Sequence, residues 1–432
     1  MPIALREVEF DKDGHLFDRQ QLLDVVADLG TCTDLLVLSH GWNNNKEEAR
    51  ELYAELLGRA GELVDAGKVP AVAGRKFHAI GILWPSKKFE DSELIPSGGA
   101  ASAGEASDGA TQRLLVELKV VPNRLGERQV NEAHAAVVAN LAALLGSLDN
   151  SAQARKEFVL HLRALMDPSA THSEDGSTEF FTEDPQKLFE RLGDPVIAPL
   201  AAGVGGATSI GGAAGLHDLV IGARAAARRM LNFVTYYQMK SRAGLVGTQG
   251  LAPALREIRA AKNVALHLVG HSFGGRLVTA AADSLPDGTP RVTVSLLQAA
   301  FSHNGLAPKF DGDHDGAFRG VLAKRRVSGP VIITHTKNDR AVGIAYPLAS
   351  RIAHQQAAAL GDQNDPYGGM GRNGAQHTPE VRAASRLGPV GTTYTFRVGE
   401  VFNLQADEFI KGHGEVHGKE VAYAILSAAG AA

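Results

Sequence analysis

The sequence predicts an α/β fold, a mostly parallel sheet flanked by helices and interrupted by a large, mainly helical insertion. Three observations carry that expectation. Apolar runs of strand length stand at 34–39, 77–83 and 264–269, and helix-like segments accompany them in the rhythm of a parallel sheet. The third run breaks at Gly270-His271-Ser272-Phe273-Gly274, a tight turn from a strand into a small-residue helix. Between 87 and 248 the rhythm stops and the patterning becomes mostly helical.

The elements follow in order. Residues 5–10 alternate enough for an edge strand, and Asp11-Lys12-Asp13-Gly14 makes a turn. A short helix is expected at 20–29, then the strand 34–39, which runs into His40-Gly41-Trp42-Asn43. Residues 46–64 read as an amphipathic helix, with Asn45 or a neighbouring asparagine as N-cap and Glu47 and Glu48 in the first turn. After the strand 77–83, residues 87–110 read as a loop, 111–165 as mostly helical, 167–184 as a polar, mobile loop and 219–239 as a helix. A helix at 251–261 leads into the strand 264–269. Further strands are expected at 291–298, 331–334 and 392–398, with helices at 341–360 and 420–427 and a glycine-rich loop at 361–374.

Composition narrows the function classes. At 432 residues and 44% hydrophobic, the chain can bury a large core together with an insertion or a second domain. Lys+Arg 44 against Asp+Glu 48 leaves a net charge of −4, which gives no electrostatic case for nucleic acid. The one cysteine, Cys32, excludes an intrachain disulfide and fits a reducing compartment. The N-terminus lacks an apolar run, so a Sec signal is not expected and a cytoplasmic location is, with export by another route open. Residues 195–216 carry no charge and approach bilayer length, but their small Ala and Gly side chains favour a packed or flexible connector over membrane contact.

Two motifs suggest metals and fall short. Residues 311–316 copy the opening of a calcium loop, yet the twelfth position, where a glutamate is needed, is Leu322. His413-Gly414-Glu415-Val416-His417 has its glutamate at the wrong offset for a zinc helix. Neither a metal nor an organic cofactor is expected. The run 368–371 lacks the Gly-Lys-Ser/Thr of a phosphate loop.

The turn at 270–274 puts Ser272 at a helix N-terminus, between glycines that leave room for a strained backbone. A serine hydroxyl needs a base, and the base an orienting acid. On a parallel sheet these groups converge beyond the carboxyl ends of strands. Asp339 follows the strand 331–334, and His413 follows the last one. His417 is the rival base, and Asp287 and Asp311 are rival acids. His271 is expected to pack beside the sheet, and His267 to be a hydrogen-bonded core histidine.

On His40-Gly41-Trp42, Gly270–Gly275, Asn338-Asp339 and 412–417 the chain resembles the α/β-hydrolase superfamily of serine esterases and lipases. The resemblance covers about 6–86 and 251–426 and looks closest to bacterial serine-esterase-like members. Those read H-S-D-I near the last site, where this chain has His413-Gly414-Glu415-Val416. The order Ser272, Asp339, His413 is that of the superfamily. The resemblance implies attack by Ser272, His413 as base and Asp339 as its orienting acid. The backbone N–H groups of Trp42 and Phe273 would form an oxyanion hole, supported by His40, Gly41, Gly270, His271 and Gly274. It implies a hydrolase core at 1–86 and 249–432, with 87–248 as a cap. The expected reaction is hydrolysis of a small acyl ester. Thioester or amide cleavage, acyl transfer, a membrane-active lipase or phospholipase, and a non-catalytic binding protein remain alternatives.

Overall fold

A computed structural model describes residues 3–42, 44–86, 105–127, 129–193, 222–339, 352, 366–382 and 385–432. The expected loop at 87–104 and the segment 195–216 lie outside the described residues, as does most of the expected helix 341–360.

Among the described residues eight strands form one open sheet, and every neighbouring pair is parallel. They are β1 (Ala4–Glu9), β2 (Asp34–Ser39), β3 (Phe77–Leu83), β4 (Ala265–His271), β5 (Val292–Leu297), β6 (Val331–His335), β7 (Ser385–Arg386) and β8 (Val401–Gln405). Their order across the sheet is β1-β3-β2-β4-β5-β6-β8-β7. From β2 the chain moves outward to β3, whereas from β4 it moves the opposite way to β5. The crevice beyond the ends of β2 and β4 is therefore a topological switch point, where α/β sheets receive ligands.

Both faces of the sheet are covered, which is why the strands read as continuous apolar runs. Leu35, Val37, Leu266 and Leu268 face one core, with α1 (Arg19–Asp28) and later helices. Leu36, Leu38 and Val269 face the other, packed by α2 (Lys46–Asp65) and the C-terminal helix Lys419–Gly430. Asn45 caps α2 in a reciprocal capping box with Glu48, as expected.

A third apolar cluster belongs to the helices between β3 and β4: α3 (Glu105–Leu118), α4 (Glu132–Leu144), α5 (Ala152–Arg163), α6 (Ser177–Thr182), α7 (Pro185–Gly193) and α8 (Ala223–Leu245). α3 begins within the stretch expected to be loop. The expected polar loop 167–184 is partly ordered inside the protein, because Glu174 and Asp175 are buried and Asp175 pairs with buried Lys240. α8 continues through a π-helical turn, Val246–Leu251, into α9 (Ala252–Ala261). The sequence boundary drawn at 248/249 thus falls inside one unbroken helical run. Met230 and Val234 of that run pack in the helical cluster, and Met239 and Ala243 in the sheet core.

The strand expected at 392–398 is not a sheet strand. Thr392, Tyr394 and Phe396 are half-buried while their neighbours are exposed, so the alternation is real. The segment lies over the second core, with the Tyr394 and Phe396 rings stacked at 4.7 Å, and β8 takes the sheet position. No helix of the described residues is long and apolar enough to cross a membrane.

The π turn brings Gly247 onto α10 (Phe273–Asp283), where an added Cβ would collide with Leu277 O and lie 2.8 Å from Ala280 Cβ. Gly247→Ala should therefore lower the denaturation midpoint, by about 1–3 kcal/mol of stability, read by urea unfolding.

Candidate active site

Ser272 sits between β4 and α10 with φ 56° and ψ −124°, a conformation that is rare for a side chain bearing Cβ. Holding it costs about 1–3 kcal/mol. The backbone around it supplies the restraint. Ser272 N–H donates to Leu297 O at 3.0 Å, and Ser272 O accepts from Gly275 N–H and Ala300 N–H, each at 3.0 Å. An added Cβ at Gly270 would strike the Gly274 carbonyl, and one at Gly274 would strike the carbonyls of Ser39 and His40. Both glycines of this turn are thus required by contact.

The end of β2 lies against this turn, since Ser39 pairs with Gly270 across the sheet. A Cβ on Gly41 would come within 2.6 Å of Ser272 Cβ and 3.2 Å of Ser272 Oγ. His40 Nδ1–H donates to Gly41 O at 2.8 Å, and its Nε2 accepts from Trp84 N–H at 3.4 Å. Burial pushes the His40 pKa down to about 4, and the Gly41 carbonyl offsets only part of this, so the ring is neutral. In a planar trans peptide C=O and N–H point oppositely. The bond from His40 to Gly41 O therefore turns the Trp42 N–H away from His40. Phe273, the first residue of α10, has an N–H with no acceptor inside the helix.

Asp339 follows β6 and is fully buried. His413 lies in the loop after β8, and its Nδ1–H donates to Asp339 Oδ2 at 2.8 Å. Burial pulls the His413 pKa down, but the charge and hydrogen bond of Asp339 outweigh it and leave it above the ordinary imidazole value. His271 Nε2–H donates to His413 O at 2.8 Å, and the two rings are 4.9 Å apart. His271, His413 and Asp339 are therefore joined by hydrogen bonds beyond the carboxyl ends of β4, β6 and β8, and Ser272 is the residue that follows His271.

The rival residues lie elsewhere. His417 Nε2 pairs with Glu55 Oε2 of α2 at 3.2 Å, and Asp287 pairs with Arg326 at 3.0 Å. Asp311 is turned onto its own loop, accepting from the N–H groups of Asp313 and His314. These bonds and the His314 ring hold its pKa at about 2, and Asp315 accepts from Lys309 N–H, so the loop's own donors occupy these carboxylates. Among the described residues the one close group of metal-ligand types is Asp11, Asp13 and His15, where Asp11 already accepts two backbone N–H groups. His267 bridges Thr293 and Asp34 in the core, as expected.

Two residues of the site were not read from the sequence. Tyr53 OH accepts from His40 N–H at 2.8 Å and donates to Ile82 O at 2.6 Å, fixing the loop after β2. Asp407 Oδ1 accepts from Thr336 Oγ1 at 2.6 Å and Lys337 N–H at 3.1 Å, and Asn338 Nδ2 donates to Asp407 O and Ile410 O. These bonds fasten the Asp339 loop to the chain leading to His413. The only local signal was the tyrosine in α2 and the aspartate shortly after β8. Comparison of the chain with family models, with curated proteins and with solved structures gave no match.

An NMR titration should place the His413 pKa above the ordinary imidazole value. Asp339→Asn should bring it below that of the native protein, because burial then acts without the opposing carboxylate.

Proposed function

We propose that the chain is a serine hydrolase of the α/β-hydrolase type, cleaving carboxylic esters through an acyl-enzyme. The observation that carries this reading is the bond from His413 to Asp339, made beside a serine held at positive φ at a helix N-terminus. An ordinary turn serine has no need of that backbone, and a surface histidine has no need of a buried carboxylate.

In the proposed reaction Ser272 Oγ attacks the acyl carbon while its proton passes to His413 Nε2. The carbonyl oxygen becomes an oxyanion, met by the N–H groups of Trp42 and Phe273. The C–O bond to the leaving group then breaks, and His413 returns the proton to the departing alkoxide. Water, deprotonated by His413, attacks the acyl-serine; collapse releases the acid and restores Ser272. Asp339 stabilises the imidazolium and fixes the tautomer that keeps Nε2 free to accept.

The helices between β3 and β4 act in this reading as a cap. Trp42 packs against both the sheet core and the helical cluster, so the proposed oxyanion loop lies at their junction. The Phe273 ring is 5.8 Å from that of Trp42 and 5.0 Å from that of Tyr236 on α8. This aromatic wall favours an apolar acyl group.

A p-nitrophenyl acyl ester should give a burst of nitrophenolate. Ser272→Ala should remove turnover to background, and Asp339→Asn should lower kcat by about four orders of magnitude. Because the neutral imidazole is the base, kcat should rise with pH through an inflection above the ordinary histidine value. Undiminished turnover in Ser272→Ala would exclude the mechanism.

A further inference from the structure

We propose that His271, the residue before the nucleophile, is a positioning residue that holds the His413 imidazole in line between Asp339 and Ser272. The inference rests on the hydrolase reading above. The Nε2–H bond to His413 O joins the elbow directly to the loop of the base.

The chemistry of the ring gives the argument. A carbonyl oxygen only accepts, so the His271 proton is on Nε2 and Nδ1 is bare. That Nδ1 is buried without a hydrogen-bond partner. It faces Gly41, where an added Cβ would be 3.2 Å away. An apolar ring could fill the same space and leave no buried acceptor unpaired. What the histidine alone supplies is one donor, aimed at one carbonyl. Burial, reinforced by the nearby His413, pushes its pKa down to about 3, so it remains that neutral donor through the range in which His413 titrates.

The loop of His413 has reason to need the bond. Gly412 and Gly414 flank the histidine, and a Cβ added at Gly414 would meet nothing within 4 Å. The histidine's own neighbours therefore add no side-chain packing, and the nearest fully buried side chains of the loop are those of Ile410 and Val416. His413 is gripped at two points, its ring by Asp339 and its carbonyl by His271. With the first grip alone, the ring could pivot about the bond to Asp339 and carry Nε2 off the line to Ser272. With both, the peptide plane and the ring are fixed together.

The test compares His271→Gln with His271→Met, side chains of similar length that differ in the terminal N–H donor. The Met variant should lose about ten- to a hundredfold in kcat on a p-nitrophenyl ester with KM little changed. The Gln variant should recover most of that loss. Fluorophosphonate labelling of Ser272 should slow in the same order. Equal rates for Gln and Met, in a protein whose wild type is labelled, would overturn this inference alone. A wild type that takes no label at Ser272 would overturn it together with the hydrolase reading. Nitrogen-15 NMR of the wild type decides independently of whether the variants fold: His271 should carry its proton on Nε2, and an Nδ1–H tautomer would sink the proposal.

Discussion

A serine at positive φ persists where its surroundings over-determine the backbone, and here the restraint is backbone packed directly on backbone, a close approach that organises the centre of this molecule. The carbonyls of Ser39 and His40 occupy the space that a side chain at Gly274 would need, and the Gly274 carbonyl occupies that of Gly270. The end of β2 and the turn after β4 are consequently one packed unit. Gly41 is drawn onto Ser272 because β2 and β4 are adjacent and in register there. Adjacency of these two strands, with their connections leaving in opposite directions, is also what opens the crevice at their carboxyl ends. The sheet order and the geometry around Ser272 thus express the same constraint.

A second fastening acts across the other half of the sheet. β6 and β8 are neighbours, but adjacency of strands does not by itself fix the loops that leave them. Asp407 does, by accepting from Thr336 and Lys337 while its carbonyl accepts from Asn338. The loop bearing Asp339 is thereby tied to the start of the segment that ends at His413. The helical layer is tied in differently. The continuous run from Ala223 to Ala261 spans both the helical cluster and the sheet core, and Arg276 of α10 donates through Nε to Lys240 O at 3.0 Å. Movement of that layer would be felt at the helix that begins with Phe273.

The sequence was informative where the physics is local or strictly periodic. Buried runs such as Asp34–Ser39 and the turn around Ser272 carry their own signatures, as does the capping box of Asn45 and Glu48. Thr392 to Phe396 misled because alternation reports one buried face and not membership of a ladder; the segment covers aromatic side chains and pairs with no strand among the described residues. β8 itself, Val401–Gln405, has Asn403 within it, which interrupts the apolar run and whose side chain binds both the N–H and the C=O of Ala375. Glu174 and Asp175 fall in the stretch read as a polar, mobile loop, because Lys240, which pairs with Asp175, lies far along the chain. The bonds of Tyr53 and Asp407 are invisible for the same reason: their meaning depends on which strands become neighbours. The sequence favours His413 over His417 by its flanking glycines alone, and in the structure four residues of loop turn one toward Asp339 and the other toward Glu55.

Three histidines meet at this site, and their surroundings divide their roles. All three are buried enough for desolvation to disfavour the charged ring. His40 and His271 have only carbonyl acceptors, at Gly41 and His413, and a carbonyl dipole does not repay the loss of water; both stay neutral and serve as fixed donors. His413 alone has a carboxylate, and Asp339 reverses the sign of the shift. A proton arriving among the three therefore goes to His413. The same arrangement protects the geometry when it does, because a second imidazolium on His271 would stand 4.9 Å from the first, with its burial and the His413 charge both opposing it. One ring is thus free to gain and lose a proton while its two neighbours keep their tautomers, which is the condition the proposed general base needs if the donors around it are to stay aimed.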